Sequence, residues 1–401
     1  MGSLEIRVSS REGSSDCGGT GRVSAAELQG IMDRIRSGVE GHKVQAAMDI
    51  RRLTKTSSRN RRHLSPAVEP LVSMLRSRSS ESNEAAILAL LNLAVKDERC
   101  VLRILNPLLN CIVIYIYRNK ISIVEAGALE PLISFLESTN ANLQEYATAA
   151  LFTLSASSVN KSRMSASGAI PLLVKVLTDG SQQAKIDATV TLYNLSTIVD
   201  NIKTILSFHP IPPLVAILKT CNKSSKTAEK CCALLETLVG LDEGRTALTA
   251  EEGGVLAVVE VLEEGSPQSR EHAVGALLTM CESDRSRYRE VILKEGAIPG
   301  LLELTVQGTL KSQAKARRLL ELLRDSPYPR SELQADTLDN IVSNIVSQID
   351  GDEQAEKAKK MLAEMVQISM EKSLRHLQRR ALMRTPAELP LRKRPSEVPS
   401  K

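Results

Sequence analysis

The segment Gly168-Ala169-Ile170-Pro171-Leu172-Leu173 decides the fold, because the chain keeps returning to it. Gly127-Ala128-Leu129-Glu130-Pro131-Leu132 precedes it by 41 residues, and His209-Pro210-Ile211-Pro212-Pro213-Leu214 follows it by 41. Gly253-Gly254-Val255-Leu256 and Gly296-Ala297-Ile298-Pro299 continue the series at steps of 44 and 43. A period in this range marks stacked helical repeats of armadillo or HEAT type, in which neighbours bury the apolar face that no single repeat can bury alone.

Each repeat also closes alike. Ala89-Leu90-Leu91-Asn92-Leu93, Ala150-Leu151-Phe152-Thr153-Leu154 and Thr191-Leu192-Tyr193-Asn194-Leu195 hold apolar residues at helical spacing and read as third helices, buried towards neighbouring repeats. Between the two landmarks lies a shorter Ala-containing stretch such as Asn142-Leu143-Gln144-Glu145-Tyr146-Ala147, small enough for helices to approach closely. Counting that stretch gives three helices per repeat, with Gly and Pro at the entry, which favours armadillo over the two-helix HEAT pattern.

Composition agrees with an all-α stack. Apolar residues make up 42% of the 401 and aromatic residues 2%, with no Trp. Lys and Arg number 52 against 47 Asp and Glu, and much of the surplus of +5 falls in the last thirty residues, so the repeats form no basic cradle. Single-strand binding needs aromatic stacking faces as well, and nucleic acid is not an expected partner. Seven cysteines, an odd number without a CxxC pair, read as reduced thiols of a cytoplasmic or nuclear protein. The N-terminus has no apolar leader, and Ile6 stands where myristoylation after Gly2 requires Ser or Thr.

The runs GALEPLISFL and GAIPLLVKVL, with NLA or NLS closing the third helix, resemble the armadillo domain of plant U-box armadillo proteins over roughly residues 25 to 325. The resemblance implies a right-handed superhelix whose third helices line a concave groove. It further implies that the groove recognises proteins, receptor-type kinases and ubiquitination substrates among them. One departure stands out: no Cys-Pro-Ile start and no Asp-Pro-Val turn of a U-box precede Glu27. The expectation is a stand-alone adaptor or an incomplete product of a longer gene.

One repeat breaks the period. Val68-Glu69-Pro70-Leu71 aligns with Leu129-Glu130-Pro131-Leu132, which puts Pro66 opposite Gly127 at a step of 61, and removing Cys100 to Arg118 reduces it to 42. The excised chain would run Asp97-Glu98-Arg99 into Asn119-Lys120 and place Asn119 eight residues before Gly127, as Asn160 stands before Gly168. The insert, rich in Ile and Tyr and broken by Arg103, Asn106, Pro107 and Asn110, is too interrupted to span a membrane. It reads as an in-frame retained intron, with a binding-side loop as the alternative.

Chemistry finds no foothold. His42, His63, His209, His272 and His376 are scattered over separate repeats, so no nucleophile has a base beside it. HExxH and paired CxxC motifs are missing, the glycines are single turn markers, and Cys231-Cys232 reads as a small buried hydrophobe. No enzyme activity, cofactor or metal is expected.

Armadillo proteins that carry nuclear-import signals set Trp four residues before the groove Asn. Here Leu88 and Val190 precede Asn92 and Asn194, and Ala149 precedes Thr153, so an import receptor is disfavoured. The expected groove residues are Asn92, Thr153 and Asn194, continued by Glu236, Thr279 and Glu321, which would make the later groove acidic and attractive to a basic peptide. Arg51, Arg52, Arg59, Arg61 and Arg62 form either a solvated cap or an anion contact.

The expected organisation is a Ser- and Gly-rich tail over 1–24, an armadillo-type solenoid of about six three-helix repeats over 25–326 with the atypical insertion 100–118, a C-terminal helical extension over 327–384 and a basic, Pro-containing tail over 385–401. The expected function is that of a monomeric adaptor or scaffold for a partner protein, without integral membrane contact. The alternative is the substrate-recognition part of a U-box ubiquitin ligase.

Overall fold

In a computed structural model of the chain, residues 24–95 and 119–324 are described. The expectations for the two tails, the C-terminal extension and the insertion fall outside them. Residues up to Leu319 form one compact body, and Leu320–Arg324 are the described part of a second.

The described residues contain helices and no strand. A helix pair comes first, α1 (Ala25–Ile35) and α2 (Glu40–Thr54), which is the degenerate opening repeat. Six triplets follow. They are α3 (Ser58–His63), α4 (Val68–Met74) and α5 (Ser80–Ala94); α6 (119–125), α7 (Leu129–Ser134) and α8 (Ala141–Ser155); α9 (Ser158–Ala166), α10 (Ala169–Asp179) and α11 (Gln182–Ser196). The rest are α12 (Val199–Ser207), α13 (Ile211–Thr220) and α14 (Lys226–Leu238); α15 (Asp242–Ala250), α16 (Gly254–Glu264) and α17 (Pro267–Ser283); α18 (Arg285–Lys294), α19 (Ile298–Gln307) and α20 (Leu310–Leu323). Third helices pack on third helices in chain order from α2 to α17, and α10, α13, α16 and α19 form a parallel ladder of second helices.

Two boundaries differ from the sequence reading. The Gly-Ala-Ile-Pro landmark opens the second helix, because Gly168 in the left-handed conformation (φ 77°) ends α9 and begins α10. The stretch Asn142–Ala147 is no separate helix; it is the first half of α8 and runs unbroken into Ala150–Leu154. Its small residue does what was expected, for Ala147 sits in a row with Ala46, Ala86, Ala188, Cys231 and Ala273, each fully buried.

The repeat is written into the caps and turns. Ser79, Asn140, Ser181, Ser225 and Ser266 each accept a backbone N–H from the first turn of a third helix, supplying partners that the helix itself cannot. Gly127, Gly168, Gly253 and Gly296 hold positive φ at the same joint, and His209 holds it too (φ 53°), the only non-glycine residue described that does.

An asparagine staple joins four of the six first helices to the third helix before it. Asn160 Nδ2 donates to Leu154 O and to Lys120 O, both at 3.1 Å, Asn201 Nδ2 donates to Leu195 O at 2.9 Å, and Asn60 Nδ2 to Leu53 O at 3.0 Å. Asn119, the first residue described after the insertion, donates to Leu93 O at 2.9 Å. The repeat frame is therefore intact on both sides of residues 96–118.

Among the described residues no helix is long and apolar enough to cross a membrane.

Candidate partner-binding face

The third helices share one register. Each ends its core face with two half-buried residues followed by two buried ones, and this pattern aligns Asn92, Thr153, Asn194, Thr237 and Thr279. Hydrogen bonding confirms the alignment, since Thr153, Thr237 and Thr279 each donate Oγ1 to the carbonyl four residues back, at 2.9, 3.1 and 2.9 Å. Asn92 and Asn194 reach across to the previous repeat instead, Nδ2 donating to Arg51 O at 2.7 Å and to Ser155 Oγ at 2.9 Å. Their Oδ1 atoms receive no hydrogen bond within the described residues, which leaves an acceptor on each amide.

Glu236 is displaced from this row by one residue; Thr237 occupies it. Glu321 lies among the last five described residues, in the second compact body, and is exposed near the end of α20. The sequence reading missed Thr237 because steps of 43 and 44 blur a count carried from a 41-residue repeat; the fully buried Cys231, six residues before Thr237 as Ala188 is before Asn194, was the signal that locates it.

Position −1 of the row faces position −7 of the next repeat. Lys230 Nζ lies 5.8 Å from the centroid of the Tyr193 ring, and one repeat later His272 Nδ1 lies 2.7 Å from Glu236 Oε2. Lys315 Nζ adds a 2.6 Å contact to Glu236 Oε1. Burial opposes ionisation of Glu236, but the hydrogen bonds from His272 and Lys315 and their charges outweigh it and hold the carboxyl below its ordinary range. Gly275 makes room for this cluster, since a Cβ there would overlap the Glu236 carboxylate. Glu236 itself is thus charge-compensated.

The earlier face differs. Asp187 on α11 is only 7% exposed and accepts a hydrogen bond from Gln183 Nε2 at 3.1 Å. Burial pushes its carboxyl above the usual range, Gln183 opposes the shift, and the charge of Glu145 adds to it. Tyr146, Phe152 and Tyr193, all half-buried, stand on α8 and α11. Thr153 also edges a small hollow with Ile87, Leu91, Ile123 and Leu132.

The vicinal thiols on α14 are buried. Burial pushes the Cys231 thiol up to about 12 and Cys232 well above its ordinary value, so neither supplies a thiolate at neutral pH. Among the described residues no group of three or more His, Cys, Asp and Glu is placed to hold a metal. The arginine cluster is partly structural: Arg61 donates to Thr54 O at 2.9 Å, and Arg52 pairs with Asp49 at 3.5 Å and Glu27 at 3.9 Å.

The model of the plant U-box protein ARM repeat region matches residues 27–337. The chain belongs to this family. U-box domain-containing protein 45 of Arabidopsis thaliana is 29% identical over 263 residues, 64% of this chain and 31% of that protein. U-box domain-containing protein 19 of the same plant is 28% identical over 316 residues, 76% of this chain and 43% of that protein. The chain therefore spans well under half the length of these curated relatives. A crystal structure of an engineered protein from the Northeast Structural Genomics Consortium aligns with a TM-score of 0.51 at 24% identity, covering 64% of this chain and 96% of that one, a likeness of fold alone. In this plant U-box armadillo region the residues four before the polar row are Leu88, Ala149, Val190, Ala233 and Gly275, so the fold is kept without an aromatic ladder at that position.

Proposed function

We propose that this armadillo region is a non-catalytic adaptor that binds a partner protein along its third-helix face, the concave face of the solenoid. The observation that carries the reading is the five-membered polar row from Asn92 to Thr279, half-buried and in one register on helices that pack side by side. Two of its members keep an amide oxygen for a partner's backbone N–H, the kind of contact by which an extended chain is held on a helical scaffold. Free thiols at Cys221, Cys231, Cys232 and Cys281 agree with a cytoplasmic or nuclear location.

Affinity capture with the purified chain tests it. Asn92→Ala and Asn194→Ala together are expected to lose the partners that the unaltered chain captures; capture unchanged in a variant that melts normally would overturn the reading.

The relatives' names favour a second reading, in which the same face selects substrates for ubiquitination. A captured partner that is ubiquitinated by a U-box ligase only when this armadillo region is present would support it. Ubiquitin chains formed by the purified chain with activating and conjugating enzymes alone would overturn the non-catalytic reading.

A further inference from the structure

The carboxylates of the third-helix face are held in two ways. On α14, Glu229 lies 2.9 Å from Lys230 and 3.5 Å from Lys226, and Glu236 is held by Lys315 and His272. On α5, α8 and α11, and at Glu271 on α17, which accepts from Thr309 Oγ1 at 2.7 Å, the carboxylates have neutral donors. Glu84 Oε1 accepts from Asn140 Nδ2 at 2.9 Å and Ser80 Oγ at 3.3 Å, Glu145 Oε2 accepts from Ser181 Oγ at 2.5 Å, and Asp187 accepts from Gln183. Among the described residues no cation stands within ion-pair distance of these three, and the charge that acts on Asp187 is a like one, from Glu145. The hydrogen bonds hold the carboxylates in place without neutralising them.

On α8 and α11 this uncompensated charge shares its helix with half-buried aromatic residues. Tyr146 and Asp187 occupy the same register position on adjacent helices, seven residues before Thr153 and Asn194. One repeat earlier, Asp187 holds the register position of Lys230 and Phe152 that of Tyr193. Ring faces and carboxylates side by side suit a long cationic side chain, whose methylenes cover the ring while its head meets the charge.

We infer that the α8–α11 stretch of the face receives Lys or Arg side chains of an extended partner segment. The inference rests on the adaptor reading and adds the partner's chemistry. Neighbouring helices stand about 8–10 Å apart and an extended chain advances about 3.3 Å per residue, so cationic residues about three apart meet successive third helices. An acidic segment is repelled by the same carboxylates, and so is a nucleic acid backbone.

Fluorescence anisotropy with the full chain provides the test. The probe is a labelled dodecapeptide with Arg at every third position on a Ser and Ala background, and its counterpart carries Glu in place of Arg. The Arg probe is expected to bind, weakening with added salt, while the Glu probe does not bind. Asp187→Asn and Glu145→Gln are each expected to weaken binding by about threefold to tenfold, as loss of a partly buried charge contact does. Glu69→Gln removes the same charge from exposed α4, off the face, and is expected to leave affinity unchanged. Equal weakening by Glu69→Gln and Asp187→Asn, or equal binding of the two probes, would mean that the face does not read cations and would overturn the inference. If partner capture depends on Asn92 and Asn194 while the Arg probe fails to bind, this inference falls and the adaptor reading stands.

Discussion

Asn119 and Leu93 stand 26 residues apart in the chain, yet the Asn119 side-chain amide donates to the Leu93 carbonyl at 2.9 Å, the contact that Asn160 makes with Leu154 and Asn201 with Leu195 across six residues. Removing Cys100 to Arg118 would shorten that separation to seven, the spacing of Asn60 and Leu53. The deleted chain is expected to melt in one cooperative transition, with a Tm within about 4 °C of the full chain, the scale of a change of about 1 kcal/mol in a domain of this size. Loss of the transition in circular dichroism would mean that the segment carries part of the fold.

The Asn160 staple has the greatest energetic weight, because the residue is fully buried and its amide serves two carbonyls. Asn160→Ala takes the shared side-chain donor away from both carbonyls, leaving Leu154 O with the backbone N–H of Ser157 at 3.2 Å, and is expected to cost about 1–3 kcal/mol. Urea denaturation measures it, and a cost under about 0.5 kcal/mol would remove the staple from the account of the repeat.

His209 sits where the other joints carry left-handed Gly127, Gly168, Gly253 and Gly296. An L side chain there is strained, so His209→Gly is expected to stabilise by about 1 kcal/mol despite the flexibility it gives the unfolded chain. A thermal melt checks the sign.

Gly275 and Glu236 are coupled. Gly275→Ala would displace the Glu236 carboxylate from Lys315 and His272, so the substitution is expected to destabilise the unaltered chain. Paired with Glu236→Ala, it is expected to stabilise by up to about 1 kcal/mol through helix propensity alone. A double-mutant cycle with no coupling would contradict the geometry.

The same carboxylate sets a pH dependence. Glu236 is held below its ordinary value of 4.5, so between the two values the unfolded chain binds more protons than the folded one. Its stabilisation is complete above 4.5 and is lost as pH falls through the depressed value. Stability measured in urea between pH 7 and 3 should fall less steeply for Glu236→Gln than for the unaltered chain.

The third helices and the glycine joints were legible because both are local. Leu, Ala and Asn recur at helical spacing along α8 and α11, and the Gly or His at 127, 168 and 209 falls at one fixed interval. The first helices were silent: α9 buries only Asn160 and Met164, too few apolar residues for a period to emerge. That silence made Gly168 look like the start of a repeat rather than its internal joint. The break imagined after Ala147 had a different origin, since α8 is buried on more than one side and its apolar pattern loses contrast.

The sequence by itself determined the repeat, its length, the interruption after Arg99 and the family's fold, since each is carried by short-range spacing. Only the tertiary structure decided which parts of the third-helix face keep their charge. The partners of Glu236 come from helices 36 and 79 residues further along, whereas Asp187 receives no cation from any described helix. Composition counts every carboxylate alike; packing brings a Lys to one and none to another, because charge compensation depends on distance in space rather than position in the chain.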